Sequence, residues 1–125
     1  MATILVVDDD ERNVRLAVTA LEQLDHEVLS ARGAVEGIEI ALARAPDLVL
    51  MDVQMPGMDG IAALGRLRAD PRTAALRVIA VTGLAMKGDE ERLLAAGFDG
   101  YLSKPIRYKA FLGEVQRLLG TGPAT

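Results

Sequence analysis

The chain has 125 residues, of which 50% are apolar and 26% charged, with a formal net charge of −4. That length suits one domain around a single core, and the acidic balance argues against nucleic acid or an anionic membrane as a direct partner. The absence of cysteine excludes a disulfide framework, a thiolate metal site and thiol chemistry.

No apolar run approaches the ~20 residues of a membrane span. Met1 leads almost directly into an apolar segment, without the basic region or cleavage site of a signal peptide. A soluble cytoplasmic domain is the expectation. Ile4-Leu5-Val6-Val7 is an uninterrupted apolar run ending in Asp8-Asp9-Asp10. Apolar runs without alternation read as strands covered on both faces, as in a parallel sheet flanked by helices. From about Glu11 the period becomes helical, with Val14, Ala17, Val18, Leu21 and Leu24 on one face and Asp10 as N-cap. Glu27-Val28-Leu29-Ser30-Ala31 is more mixed, as an edge strand is, and His26 before it is expected to be a surface residue. Gly33 precedes a second helix marked by Val35, Ile38 and Leu42 and stopped by Pro46.

Leu48-Val49-Leu50-Met51 is the second buried strand, and it runs into Asp52 and the loop Val53-Gln54-Met55-Pro56-Gly57-Met58-Asp59-Gly60. Ile61, Leu64 and Leu67 give a third helix, closing near Asp70-Pro71. Val78-Ile79-Ala80-Val81 is the third apolar strand and ends in Thr82. Asp89-Glu90-Glu91 opens a short fourth helix, with negative charge where the helix dipole favours it, and Gly97 closes it. Tyr101-Leu102-Ser103 is a last strand running into Lys104-Pro105, and Phe111, Leu112, Val115, Leu118 and Leu119 stripe the final helix.

Five strands alternating with five helices predict an α/β fold, a flavodoxin-like doubly wound (βα)5 unit with a parallel sheet in the order 2-1-3-4-5. The three apolar strands are then central and the two mixed ones lie at the edges. Residues 1–119 form the expected domain and residues 120–125 a flexible tail.

Open α/β sheets place their ligand sites at the carboxyl ends of the strands. Asp8, Asp9, Asp52, Thr82 and Lys104 all end strands and are predicted to meet on one rim. Taken singly, Lys104 is an ordinary surface charge, Thr82 a strand-end cap, and Asp8 and Asp9 cap residues. Together they describe a site. Carboxylates within ~4–6 Å of one another repel by about 1–4 kcal/mol per pair, so the cluster needs a cation. Oxygen donors without His or Cys suggest Mg²⁺. Asp52 can then act as a nucleophile that forms an acyl phosphate, with Lys104 and Thr82 meeting the phosphoryl oxygens.

Four segments carry a family resemblance: Val6-Val7-Asp8-Asp9, the run Leu50 to Gly60, Val81-Thr82, and Tyr101-Leu102-Ser103-Lys104-Pro105. In this order and spacing the chain resembles the receiver domain of two-component response regulators, over residues 3 to about 119. The resemblance implies Asp52 as phosphoacceptor, supplied by a histidine kinase or histidine phosphotransfer protein. It implies that Asp9, Asp52 and the backbone carbonyl of Gln54 bind Mg²⁺ directly, and that Asp8 does so largely through water. Thr82 would move toward the phosphoryl group, Tyr101 would turn into the space it leaves, and the bond before Pro105 would be cis. The output would be a downstream protein docking around the fourth helix, fifth strand and fifth helix, with the chain itself a monomer. Such a chain catalyses its own phosphorylation and dephosphorylation but turns over no separate substrate, so it is not expected to be an enzyme. Ala85-Met86-Lys87-Gly88-Asp89-Glu90-Glu91-Arg92 further resembles single-domain cell-division regulators of the DivK type and receivers attached to hybrid kinases.

Two positions depart from the family pattern. Gly83 follows Thr82 where the family usually has Ala or another small residue, which loosens the loop. Leu84 stands where fast-dephosphorylating receivers often carry a polar group that orients water, so a long-lived phosphoryl group is expected. Two other classes stay open on the residues alone. A phosphorylation-independent docking module would bind its partner equally well with Asp52→Asn, whereas an aspartyl phosphatase would turn over a phosphomonoester.

Overall fold

The computed structural model describes residues 2–55, 57–83, 88–104 and 107–119. Strands and helices alternate: β1 (Thr3–Val7), α1 (Glu11–Glu22), β2 (Glu27–Ala31), α2 (Ala34–Arg44), β3 (Leu48–Asp52), α3 (Gly60–Ala69), β4 (Arg77–Thr82), α4 (Asp89–Ala96), β5 (Gly100–Ser103) and α5 (Tyr108–Leu119). The sheet is parallel throughout, in the order β2-β1-β3-β4-β5. The expected flavodoxin-like doubly wound architecture is therefore the one observed. No helix among the described residues is long and apolar enough to cross a membrane.

Side chains alternate across each strand, and this alternation divides the core into two layers. Ile4, Val6, Leu48, Leu50, Ile79 and Val81 pack toward α1 and α5 with Leu21, Phe111 and Val115. Leu5, Val7, Val49, Met51, Val78 and Ala80 pack on the other side with Leu64, Leu67 and Leu93. All five residues of β3 are buried, which explains why its sequence carries no polar alternation. Each fully buried Leu, Ile or Val contributes about 1.5–3 kcal/mol relative to its exposed state.

The helix boundaries follow their caps. Asp10 accepts from the Arg12 amide at 2.9 Å and Asp59 from the Ala62 amide at 2.9 Å, which starts α1 and α3. Gly97 ends α4 at φ 116°, a left-handed conformation that glycine adopts without a Cβ penalty.

Three details differ from the sequence expectation. Val35 is 60% exposed, and α2 turns Ala34, Gly37 and Ala41 inward instead. The cause is a close approach to β1: a Cβ on Gly37 would come within 2.8 Å of a Val7 methyl, so only small residues fit that face. Leu24 lies beyond the end of α1, half-buried in the turn before β2. His26 is also half-buried there, with its Nδ1 accepting from the Ala2 amide at 3.1 Å. Pro56, Leu84, the segment 84–87, Pro105 and the tail 120–125 lie outside the described residues.

Candidate functional site

The carboxyl ends of β1 and β3 are adjacent because the two strands pair directly, with Val7 opposite Met51. One residue further along, Asp8 and Asp52 both belong to the layer facing α1 and α5. Asp8 is 4% exposed and Asp52 is 2% exposed, while Asp9 is exposed at the mouth of the site. Carboxylate oxygens of Asp8, Asp9 and Asp52 lie within 4.8 Å of one another.

Each acid is held by the backbone of its own turn. The Asp10 amide donates to Oδ1 of Asp8 at 2.8 Å, and the Gln54 amide donates to Oδ1 of Asp52 at 3.1 Å. The loop after β3 stays in register because the Val53 amide donates to the Val81 carbonyl and the Gly60 amide to the Val53 carbonyl, both at 2.9 Å. Gly60 is there for want of space. A Cβ on it would stand 2.5 Å from the Asp52 carbonyl oxygen and 2.8 Å from the Val53 Cα. The start of α3 is thus pressed against the backbone that carries Asp52.

Lys104 enters from the end of β5, its amide donating to the Thr82 carbonyl at 2.8 Å. Its ammonium stands 3.3 Å from Oδ2 of Asp8 and 3.3 Å from Oδ2 of Asp52. The approach to Asp52 is ionic, without the alignment of a hydrogen bond. Oδ2 of Asp52 is buried and accepts no hydrogen bond within the described residues.

The electrostatics follow from that crowding. Burial, reinforced by the charge of Asp8, raises the Asp52 carboxyl from 3.8 to about 6, against the opposing pull of the Gln54 amide and Lys104. For Lys104, burial works to lower the ammonium's pKa, but Asp52 and Asp8 outweigh it and hold the group above the usual lysine value. A single lysine charge leaves the cluster net negative. All-oxygen donors, a short separation and one unsatisfied buried oxygen suit a small divalent cation such as Mg²⁺.

Thr82 is 3% exposed at the end of β4. By strand alternation it belongs to the opposite layer from Asp52 and Lys104, together with Val78 and Ala80. It shares the rim with the acids, but not their face. Tyr101 lies in that same layer, half-buried on edge strand β5 and paired with Ala80. Burial and then the charges of Asp89 and Glu90 raise its hydroxyl above the ordinary tyrosine value. Gln54 is exposed beside the site, its Oε1 3.9 Å from where a Cβ on Gly83 would sit.

Asn13, which carries no motif in the sequence, lines a small cavity with Asp8 and Asp52. The available signal was an amide at a helix position whose register points inward.

The model of the response regulator receiver domain family matches residues 4–116. The polar-differentiation response regulator DivK of Brucella anthropi is 36% identical over 118 residues, covering 94% of this chain and 96% of that protein. A response regulator from Desulfuromonas acetoxidans superposes with a TM-score of 0.88 at 27% identity, over 98% of this chain and 100% of that one. The receiver domain of a sensor histidine kinase from Pseudomonas aeruginosa superposes with a TM-score of 0.86 at 30% identity, over 95% of this chain and 98% of that one. That crystal structure has a magnesium ion coordinated in its active site cleft.

Proposed function

The chain belongs to the response regulator receiver family, and on that footing we propose that it is a phosphorylation-operated switch with Asp52 as phosphoacceptor. The observation that carries this reading is the buried Asp52 carboxylate, 3.3 Å from Lys104 and within 4.8 Å of two further acids.

A carboxylate oxygen of Asp52 attacks the phosphorus of a phosphohistidine on a histidine kinase or histidine phosphotransfer protein. The P–N bond breaks, the imidazole leaves, and Asp52 becomes an acyl phosphate. Asp9, Asp52 and the Gln54 carbonyl would hold Mg²⁺ directly, with Asp8 acting through water. When bound, the metal offsets negative charge on the phosphoryl oxygens. Lys104 supplies a second positive charge to the same oxygens from the β5 side. The Gln54 amide, already bonded to Oδ1 of Asp52, fixes the carboxylate's orientation.

Thr82 moves toward the phosphoryl group and donates a hydrogen bond from its hydroxyl, and Tyr101 turns into the space it leaves. Phosphorylation thereby shifts the surface around α4, β5 and α5, where a downstream protein docks. A near-complete shift requires about 5.5 kcal/mol of differential stabilisation. The chain acts as a monomer in the cytoplasm, signals through protein contacts without touching nucleic acid, and turns over no separate substrate. The leucine at position 84 gives the phosphoryl group a long lifetime, and Leu84→Glu is expected to shorten it.

The test is intact mass after incubation with Mg²⁺ and acetyl phosphate, with Asp52→Asn alongside. One hydroxylamine-labile phosphoryl group is expected, absent without Mg²⁺ and absent from the variant. No adduct, even from a phosphorylated histidine phosphotransfer protein, would leave a phosphorylation-independent docking module as the function.

A further inference from the structure

Asn13 stands in the first turn of α1, one turn before Ala17 and two before Leu21, both of which are buried against the sheet. Its register therefore places an amide where the helix otherwise presents apolar side chains. Beneath it lies a cavity of about 10 Å³ whose apolar wall includes Ala17, Leu50 and Val81, and whose polar lining is Asp8, Asn13 and Asp52. That volume is about what one water molecule needs, and a water in a buried site needs polar partners of the kind gathered here.

Of the three polar groups lining the cavity, Asn13 is the donor. Asp8 and Asp52 are acceptors when ionised, and their outer contacts are taken by the Asp10 amide, the Gln54 amide and Lys104. Asn13 brings two amide hydrogens and one carbonyl oxygen to the same cavity. Among the described residues no group hydrogen-bonds its side chain. Ala17 is too small to fill the space below it.

We propose that Asn13 is a positioning residue, and that it holds the Asp52 carboxylate through one buried water bound in this cavity. The proposal rests on the phosphoacceptor reading and adds to the Gln54 amide a second contact, from α1, on the nucleophile. The bridge restrains rotation of the carboxylate, so that Oδ2, 3.3 Å from the Lys104 ammonium, keeps its orientation for the incoming phosphorus. Water-mediated contacts of this kind are nearly as favourable as direct ones. A small misplacement of a reacting group is costly to rate and leaves metal binding, which several donors share, almost untouched.

The experiment compares wild type with Asn13→Leu, which removes the amide and fills the cavity, and Asn13→Ser, which keeps a donor and leaves room for water. Initial rates of phosphorylation by acetyl phosphate at saturating Mg²⁺ are read beside the Mg²⁺ dissociation constant of each unphosphorylated protein. Asn13→Leu is expected to slow phosphorylation roughly tenfold with metal affinity within about twofold of wild type, and Asn13→Ser to retain most of the rate. Equal rates for all three would overturn the proposal. So would an equal loss in both variants, which marks packing, or a loss of metal affinity in step with rate, which marks a metal-site role. A crystal structure of the wild-type chain gives a check that needs no variant. An ordered water between Asn13 and Asp52 supports the bridge, and a dry cavity removes it. Should the wild type itself take no phosphoryl group, the failure belongs to the phosphoacceptor reading; a wet cavity and a phosphorylated wild type with indifferent variants would defeat the Asn13 role alone.

Discussion

The ammonium of Lys104 and Oδ2 of Asp52 stand 3.3 Å apart, and the same ammonium is 3.3 Å from Asp8. Lys104 thus sits between the two buried acids as a resident cation. It occupies carboxylate oxygens that a divalent ion would also use, and it supplies positive charge to any phosphoryl group arriving at Asp52. Removing it is predicted to separate these two effects. Lys104→Met should slow phosphorylation by acetyl phosphate by about 10²-fold, the scale of losing one preorganised charged donor. Mg²⁺ affinity should hold or rise a few-fold, because the acids lose a competing cation. A time course by intact mass, with a parallel Mg²⁺ titration, reads both. A fall in metal affinity would show that Lys104 organises the acids and does not compete with the ion.

The raised Asp52 pKa carries a stability cost at neutral pH. Its carboxyl titrates at about 6 in the folded chain against an ordinary 3.8. A group raised on folding favours the fold fully below the unfolded value, and that contribution is lost as the pH rises through about 6. At neutral pH the metal-free protein therefore bears an ionised, desolvated Asp52 beside Asp8, a cost on the order of 3 kcal/mol. Asp52→Asn should stabilise the metal-free protein at pH 7.5 by about 1–3 kcal/mol, the lost Lys104 contact offsetting part of the gain. The gain should shrink toward zero below pH 4. Saturating Mg²⁺ should raise the melting temperature of the wild type and leave the variant nearly unchanged. Urea titrations at the two pH values check the first part, and thermal melts with and without Mg²⁺ check the second.

Gly83 gives a prediction with the opposite structural logic. A Cβ there would have ordinary contacts of 3.9 Å to Gln54 and Lys104, and Gly83 is not among the residues with positive φ. Space and backbone both admit alanine. Gly83→Ala should stabilise the chain by about 0.4–1 kcal/mol through the unfolded state, with phosphorylation of Asp52 retained. Chemical denaturation measures the first and intact mass the second.

The fold was legible because its strongest determinants are local and periodic. The apolar runs of β1, β3 and β4 mark buried parallel strands, and the helical stripes of α1, α3 and α5 mark what covers them. The convergence of Asp8, Asp9, Asp52 and Lys104 was legible for the same reason, since strand order alone brings those ends together. What escaped depends on distances between elements. The inward face of α2 is set by how closely Gly37 approaches Val7, which no period of hydrophobicity encodes. Thr82 was expected at the rim, but its assignment to the other layer needed the register of β4 against β3 and β5. Asn13 reads as an ordinary polar residue near a helix start until Ala17 and Asp52 are seen around the same cavity.

Gly60 shows how closely the scaffold is fitted to the nucleophile, and it yields the most direct mechanical test. Its Cα faces the Asp52 carbonyl so closely that an added Cβ would lie 2.5 Å from the oxygen. The contact is backbone against backbone, so no side-chain rotation relieves it. Gly60→Ala is expected to move the start of α3 away from β3 and to cost about 1–3 kcal/mol in stability, the usual penalty for overpacking. Because the backbone it presses against carries Asp52 itself, phosphorylation should slow by more than the loss of folded protein accounts for. Gly65, with nothing within 4 Å of its Cβ position on the exposed side of the same helix, is the matched control. Gly65→Ala should stabilise α3 by about 0.5–1 kcal/mol through helix propensity alone and leave the rate unchanged. Urea denaturation and the initial phosphorylation rate of the two variants decide the matter. A Gly60→Ala chain as stable and as fast as wild type would mean that α3 does not brace the phosphoacceptor strand.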